Sequence, residues 1–137
     1  ASFSNASSQI IVFTGDACML MHGIEIAVAS RYKKKILFLV SANGAHGRIA
    51  ARMKDQSNDL KERLSYPPKI RWTDFAKSLN VKSRTVLTQE QLIKAIKDSE
   101  NIDGPFLIEM ITSYDGNTPY PDSLFSSSQF DPEDLTV

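Results

Sequence analysis

GDACMLMHGIEIAVASRYKKKILFLVSANGAHG, residues 15–47, is the stretch whose reading decides the fold. The run Ile10-Ile11-Val12-Phe13 leads into it as an apolar strand and stops at Gly15-Asp16-Ala17. A helix-length segment follows, about residues 18–32, and then a second apolar run, residues 36–40, which stops at Ala42-Asn43-Gly44. Unbroken apolar runs of this length read as strands covered on both faces, and a helix between two of them makes a βαβ unit. In open parallel sheets, ligands bind just beyond the carboxyl ends of the strands. Asp16 and Asn43 occupy those two ends and are the first candidates for a site.

Their chemistry is specific. A carboxylate and an amide oxygen are hard ligands, suited to Mg²⁺ or Ca²⁺ and poorly suited to zinc. The helix predicted to start near Cys18 would offer free N–H groups and a positive dipole end to a phosphate. Mg²⁺ takes one or two protein side chains and fills its octahedron with phosphate oxygens and water. The site therefore reads as a Mg²⁺–diphosphate anchor, although GD and NG pairs are also common turn signals.

The order of these residues resembles the cofactor fingerprint of thiamine-diphosphate-dependent enzymes: Gly15-Asp16-Ala17, then Asn43, 27 residues after the Asp. The surroundings are similar too, with Glu25-Ile-Ala-x-Ala-x-Arg31-Tyr32, a hydrophobic strand and Asn43-Gly44-x-x-Gly47. Tyr66-Pro67, Asp74-Phe75-Ala76 and Gly104-Pro105-x-Leu-Ile-Glu109 extend the likeness over residues 10–111. The nearest branch is that of acetolactate synthases and 2-oxo acid decarboxylases and carboligases, lyases and transferases. The resemblance implies an α/β fold, a three-layer sandwich with a mostly parallel sheet that forms part of the thiamine-diphosphate-binding fold. It implies Mg²⁺ held by Asp16, Asn43 and the Ala45 carbonyl, and a diphosphate held by the amides of Ala17 and Cys18. Gly15, His46 and Gly47 complete the implied cofactor-binding set. The implied partners are a pyrimidine-binding domain or subunit, a dimeric or tetrameric enzyme and a 2-oxo acid substrate.

The family's carbon chemistry starts with a Glu on the pyrimidine-binding domain, and no residue here matches it. The family's diphosphate domain also begins several dozen residues before its GD motif, whereas this sequence starts about a dozen before Asp16. The expectation is the C-terminal part of that domain, cleaved from a longer enzyme or one subunit of a split one, with no catalytic residue of its own and no activity alone. Ala42 replaces the first Asn of the usual Asn-Asn pair but leaves the ligand Asn in place. Ile49 stands where the pyruvate-decarboxylase branch carries a catalytic Glu, which favours carboligation over simple decarboxylation. The competing reading is a non-catalytic phosphate-binding or regulatory module with a flavodoxin-like core.

At 137 residues the chain amounts to one domain. Sixteen basic residues balance sixteen acidic ones, giving no sign of a nucleic acid or membrane-surface partner. One cysteine, Cys18, excludes an intrachain disulfide and fits a reducing compartment. No apolar run reaches membrane-spanning length, so the expectation is a soluble cytoplasmic protein. Residues 1–8 read as disordered or an artificial extension, residues 9–112 as the domain and residues 113–137 as a tail. That tail is either disordered or wrapped on a surface through Tyr120, Leu124 and Phe125.

Within the domain, Arg31, Lys33, Lys34 and Lys35 read as a solvated helix end rather than a phosphate patch. Glu25 reads as structural, and His22 as a core histidine in a buried helix. His46 and Arg48 balance between contact with the reacting end of a cofactor or a substrate carboxylate and plain solvation. Beyond residue 50 the pattern predicts a helix over 58–64 ended by Pro67-Pro68, and a helix over 74–79 capped by Thr73. A strand over 84–87 precedes a helix opened by the capping box Thr88-Gln-Glu-Gln91, with Leu92, Ile93 and Ile96 facing inward. Asp103-Gly104-Pro105 turns into a last strand over 106–111.

Overall fold

The computed structural model describes residues 10–53, 57–65 and 67–113. The expectations for residues 1–8 and for the anchors Tyr120, Leu124 and Phe125 lie outside them. In chain order the elements are β1 (Ile10–Gly15), α1 (Asp16–His22), α2 (Ile26–Arg31), β2 (Ile36–Ala42), α3 (Gly47–Arg52), α4 (Asn58–Ser65), α5 (Trp72–Ser78), β3 (Lys82–Val86), α6 (Gln89–Ser99) and β4 (Phe106–Ile111). The four strands form one sheet in the order β1-β2-β4-β3, with every pairing parallel. Helices lie on both faces, so the expected α/β sandwich is what the chain forms.

Parallel register decides which side chains share a face. Successive residues along a strand point to opposite sides, while paired residues on neighbouring strands point to the same side. Val40 and Leu107 therefore join Met19, Ile26, Trp72 and Ala76 of α1, α2 and α5 in one core layer. Leu37, Phe106, Ile108 and Val86 form the other with Ala95 of α6. Central β4 is buried on both faces from Phe106 to Glu109, as its apolar run requires.

Strand β1 is different, and corrects the expectation of two covered faces. It is an edge strand, and Ile11 and Phe13 pair with Leu37 and Leu39 on the α6 side. α6 packs over β3 and β4 and leaves that side of β1 open, with Phe13 71% exposed.

The helix expected over residues 18–32 is also not one helix. It begins at Asp16, and a turn of 3-10 helix at Gly23–Glu25 separates α1 from α2. Gly23 is buried, and a Cβ there would meet Met19 Cε at 3.1 Å and Phe75 Cε1 at 3.4 Å, so the missing side chain admits α5 at close range. Only one stripe of α1 and α2 is buried; Leu20, Met21, Ile24, Val28 and Tyr32 are exposed. His22 is exposed as well, not a core residue, and so is Glu25.

Farther along, α3 occupies a stretch that gave no sequence signal, and β3 ends at Val86 instead of running to Leu87. Thr88 caps α6 as expected, accepting the Gln91 N–H at 3.3 Å, while the Gln91 side chain accepts the Leu87 N–H at 2.8 Å. The inward stripe of α6 is Leu92, Ala95, Ile96 and Ser99; Ile93, expected inside, is 46% exposed. At 100° per residue the buried Ala95 and Ser99 draw the seam to the far side of Leu92 and Ile96, which leaves Ile93 about 100° from Leu92 on its flank.

Candidate functional site

Asp16 is the first residue of α1, placed by the end of β1. It is only 7% exposed, yet among the described residues it pairs with no cation. Two N–H donors hold it. The Gly44 amide donates to Oδ2 at 2.8 Å, and the Trp72 indole Nε1–H donates to Oδ1 at 2.6 Å. The first of these ties the ends of β1 and β2 together. Gly44 makes this approach with φ +70°, a conformation that glycine adopts without strain.

The turn after β2 is braced within itself, since Asn43 Oδ1 accepts the Ala45 N–H at 2.9 Å. Ala45 is buried, and the His46 N–H donates to the Ser65 carbonyl at 2.7 Å, joining this loop to the end of α4. His46 Nε2 is buried with no hydrogen-bond partner among the described residues. Gly47 opens α3 and Gly15 closes β1. No side chain caps the first turn of α1, where Ala17 is half-buried and Cys18 exposed. The side chain of Arg48 lies outside the description.

Asp16, Asn43 and Gly44 border a cleft of about 380 Å³, closed on its other side by Pro67, Pro68, Trp72, Glu109 and Thr112. Lys69 and Arg71 add positive charge to its lining, Arg71 also pairing with Asp74 at 2.6 Å. A second cleft of about 350 Å³ is almost wholly apolar and lies between α1, α2 and the strands β1 and β2, with no tie to Asp16.

Two participants were not singled out from the sequence. Trp72, the one tryptophan of the chain, had no local signal. Glu109 had a weak one, a carboxylate inside the run FLIEMI. Only 3% exposed, it accepts the Trp72 N–H at 2.9 Å, the Thr73 hydroxyl at 3.2 Å, the Thr73 N–H at 3.4 Å and the Thr85 hydroxyl at 2.9 Å. It thereby caps α5, correcting the expectation that Thr73 does so. The helix starts two residues earlier, at Trp72, and its free N–H groups favour a negative charge.

The donor set suits a hard divalent cation. Asp16 brings an uncompensated charge with one accepting site on each oxygen already used, and Asn43 brings a half-satisfied amide oxygen. Among the described residues no three His, Cys, Asp or Glu side chains gather to hold a metal ion by themselves. None of the described helices is long and apolar enough to cross a membrane.

A parallel α/β sheet with a cleft at the carboxyl ends of its strands defines the class: a ligand-binding domain of the open-sheet type. Within that class the chain belongs to the thiamine pyrophosphate enzymes, as their C-terminal TPP binding domain, whose family model matches residues 1–110. No curated protein matches it. Among solved structures, a thiamine diphosphate-dependent 4-hydroxybenzoylformate decarboxylase from Rhodococcus jostii RHA1 superposes with a TM-score of 0.74 at 24% identity, over 85% of this chain and 22% of that one. An enzyme from Mycobacterium smegmatis described as thiamin diphosphate-dependent superposes with a TM-score of 0.65 at 19% identity, over 78% of this chain and 18% of that one. The chain thus spans about a fifth of the length of these structures, which share its fold.

Proposed function

We propose that this domain anchors the diphosphate of thiamine diphosphate through Mg²⁺, in an enzyme that decarboxylates or carboligates 2-oxo acids. The observation that supports it best is the 2.8 Å hydrogen bond from Gly44 to Asp16, which gathers the carboxylate and the Asn43–Ala45 turn at one cleft. Asp16, Asn43 and the Ala45 carbonyl are the metal ligands, with the amides of Ala17 and Cys18 on the diphosphate. The His46 ring, whose Nε2 has no partner among the described residues, borders the cofactor. When bound, the cofactor supplies the electron sink for the carbon chemistry. This chain's residues hold and orient it and exclude water around its charged end. The benzoylformate in the name of the Rhodococcus structure is itself a 2-oxo acid, which favours that substrate class.

The family's catalytic Glu has no counterpart here, so the chain is inactive alone and works against a pyrimidine-binding domain or subunit in a dimer or tetramer. The open α6-side face of β1, with Ile11 and Phe13 exposed, suits such burial. The direct test is Asp16→Ala in the assembled enzyme. Calorimetry should show thiamine diphosphate binding weakened by tenfold or more; unchanged affinity would remove the anchor. A 2-oxo acid assay of the isolated chain with cofactor and Mg²⁺ should show no turnover, and turnover would refute the claim of inactivity.

A further inference from the structure

We infer that Trp72 is a positioning residue for the metal, holding the Asp16 carboxylate in its ligating orientation; this rests on the metal-anchor reading above. A carboxylate swings about two side-chain torsions, and one hydrogen bond leaves the second oxygen free to move. Here both oxygens are held by donors from different parts of the fold, Gly44 from the β2 turn and Trp72 from the start of α5.

The donor from α5 is itself immobilised. Trp72 is 2% exposed, its ring meets Phe75 edge-on at 5.8 Å and 82°, and its backbone N–H is held by Glu109. An indole N–H is also the right donor chemically. It donates one hydrogen bond and carries no charge, so it fixes the carboxylate without neutralising it. A Lys or Arg in its place would occupy the charge that a divalent cation needs.

Mg²⁺ demands near-ideal octahedral geometry, whereas Ca²⁺ accepts variable angles and ligand numbers. Loss of a hydrogen bond to a metal-ligating group commonly lowers metal affinity about 10–100-fold. Removal of the Trp72 donor therefore acts on Mg²⁺ more than on Ca²⁺, which loss of packing alone would not do.

The test uses the full enzyme containing this chain, with Mg²⁺ and Ca²⁺ affinities measured by calorimetry at saturating thiamine diphosphate. Two variants remove the donor: Trp72→Phe, and replacement of Trp72 by β-(3-benzothienyl)alanine, which keeps the bicyclic shape with sulfur in place of the N–H. Both are expected to weaken Mg²⁺ about 10–100-fold and Ca²⁺ by a distinctly smaller factor. If Trp72→Phe does not fold, the isosteric replacement decides alone. Unchanged Mg²⁺ affinity, or equal losses for the two ions, overturns the role while Asp16→Ala still abolishes tight Mg²⁺ binding. Should Asp16→Ala leave Mg²⁺ affinity intact, the metal reading falls and the positioning role falls with it.

Discussion

The backbone N–H of Gly44 donates to Asp16 Oδ2 at 2.8 Å across 28 residues of chain, so the ends of β1 and β2 are held at hydrogen-bonding distance by the candidate metal ligand itself. The loop and the carboxylate are accordingly one unit. A change in either should register in the other.

Gly44→Ala tests the loop. Nothing lies within 4 Å of the Cβ it would add, so the penalty is purely conformational, from φ +70°. About 1–2 kcal/mol of stability should be lost, read as a shift of the urea midpoint at constant slope. Gly44→Pro should cost more than that, since proline cannot adopt φ +70° and also removes the N–H that Asp16 accepts. Equal effects of the two would contradict this account of the turn.

Glu109→Ala should be among the most destabilising single changes, at roughly 2–4 kcal/mol. It strands the buried Trp72 N–H and the partners of Oε2 and uncaps α5. Thr85→Val removes one of these partners and should cost about 1 kcal/mol. Denaturant unfolding of both variants checks the ranking, and a smaller loss for Glu109→Ala than for Thr85→Val would contradict it.

At the start of α6, Thr88→Ala should lose about 1 kcal/mol with its cap. The neighbouring Glu90 carboxyl is held below its ordinary 4.5, first by its backbone N–H and then by the Thr88 hydroxyl. A depressed folded value means stabilisation that is present above pH 4.5 and disappears as the pH falls through the folded value. Acid titration of stability should therefore be shallower in Glu90→Gln than in the parent; parallel curves would argue against the assignment.

Phe13→Asp addresses the bare face of β1. Phe13 contributes little to the core of this chain, so a charge there should leave the fold intact. If the face is buried in the assembled enzyme, sedimentation should show smaller species. An unchanged sedimentation coefficient would place the subunit contacts elsewhere.

Much of the molecule was legible in the order of its residues, because the informative patterns are local. A continuous apolar run, a Gly-Asp stop, a helix-length segment and an Asn-Gly turn are read within a few residues of one another. They suffice for the βαβ unit and for Asp16 and Asn43 at adjacent strand ends. The T-x-x-Q cap of α6 is equally local, since both of its hydrogen bonds close within one helical turn.

Whatever depends on which surfaces meet escaped that reading. An apolar run looks the same on an edge as at the centre of a sheet, so only the order β1-β2-β4-β3 reveals that Phe13 is bare while Leu107 is enclosed. A side chain is excluded at Gly23 because Met19 and Phe75, the latter far along the chain, take the space. Trp72 has no local signature and Glu109 only that of a carboxylate in an apolar run, as their importance comes from partners 56 and 37 residues away. Sequence alone determined the strands, the turns and the placement of Asp16 and Asn43 at their ends. Tertiary structure decided which face is left open and what holds Asp16 in place, because a hydrogen bond across the sheet exists only after the chain has closed.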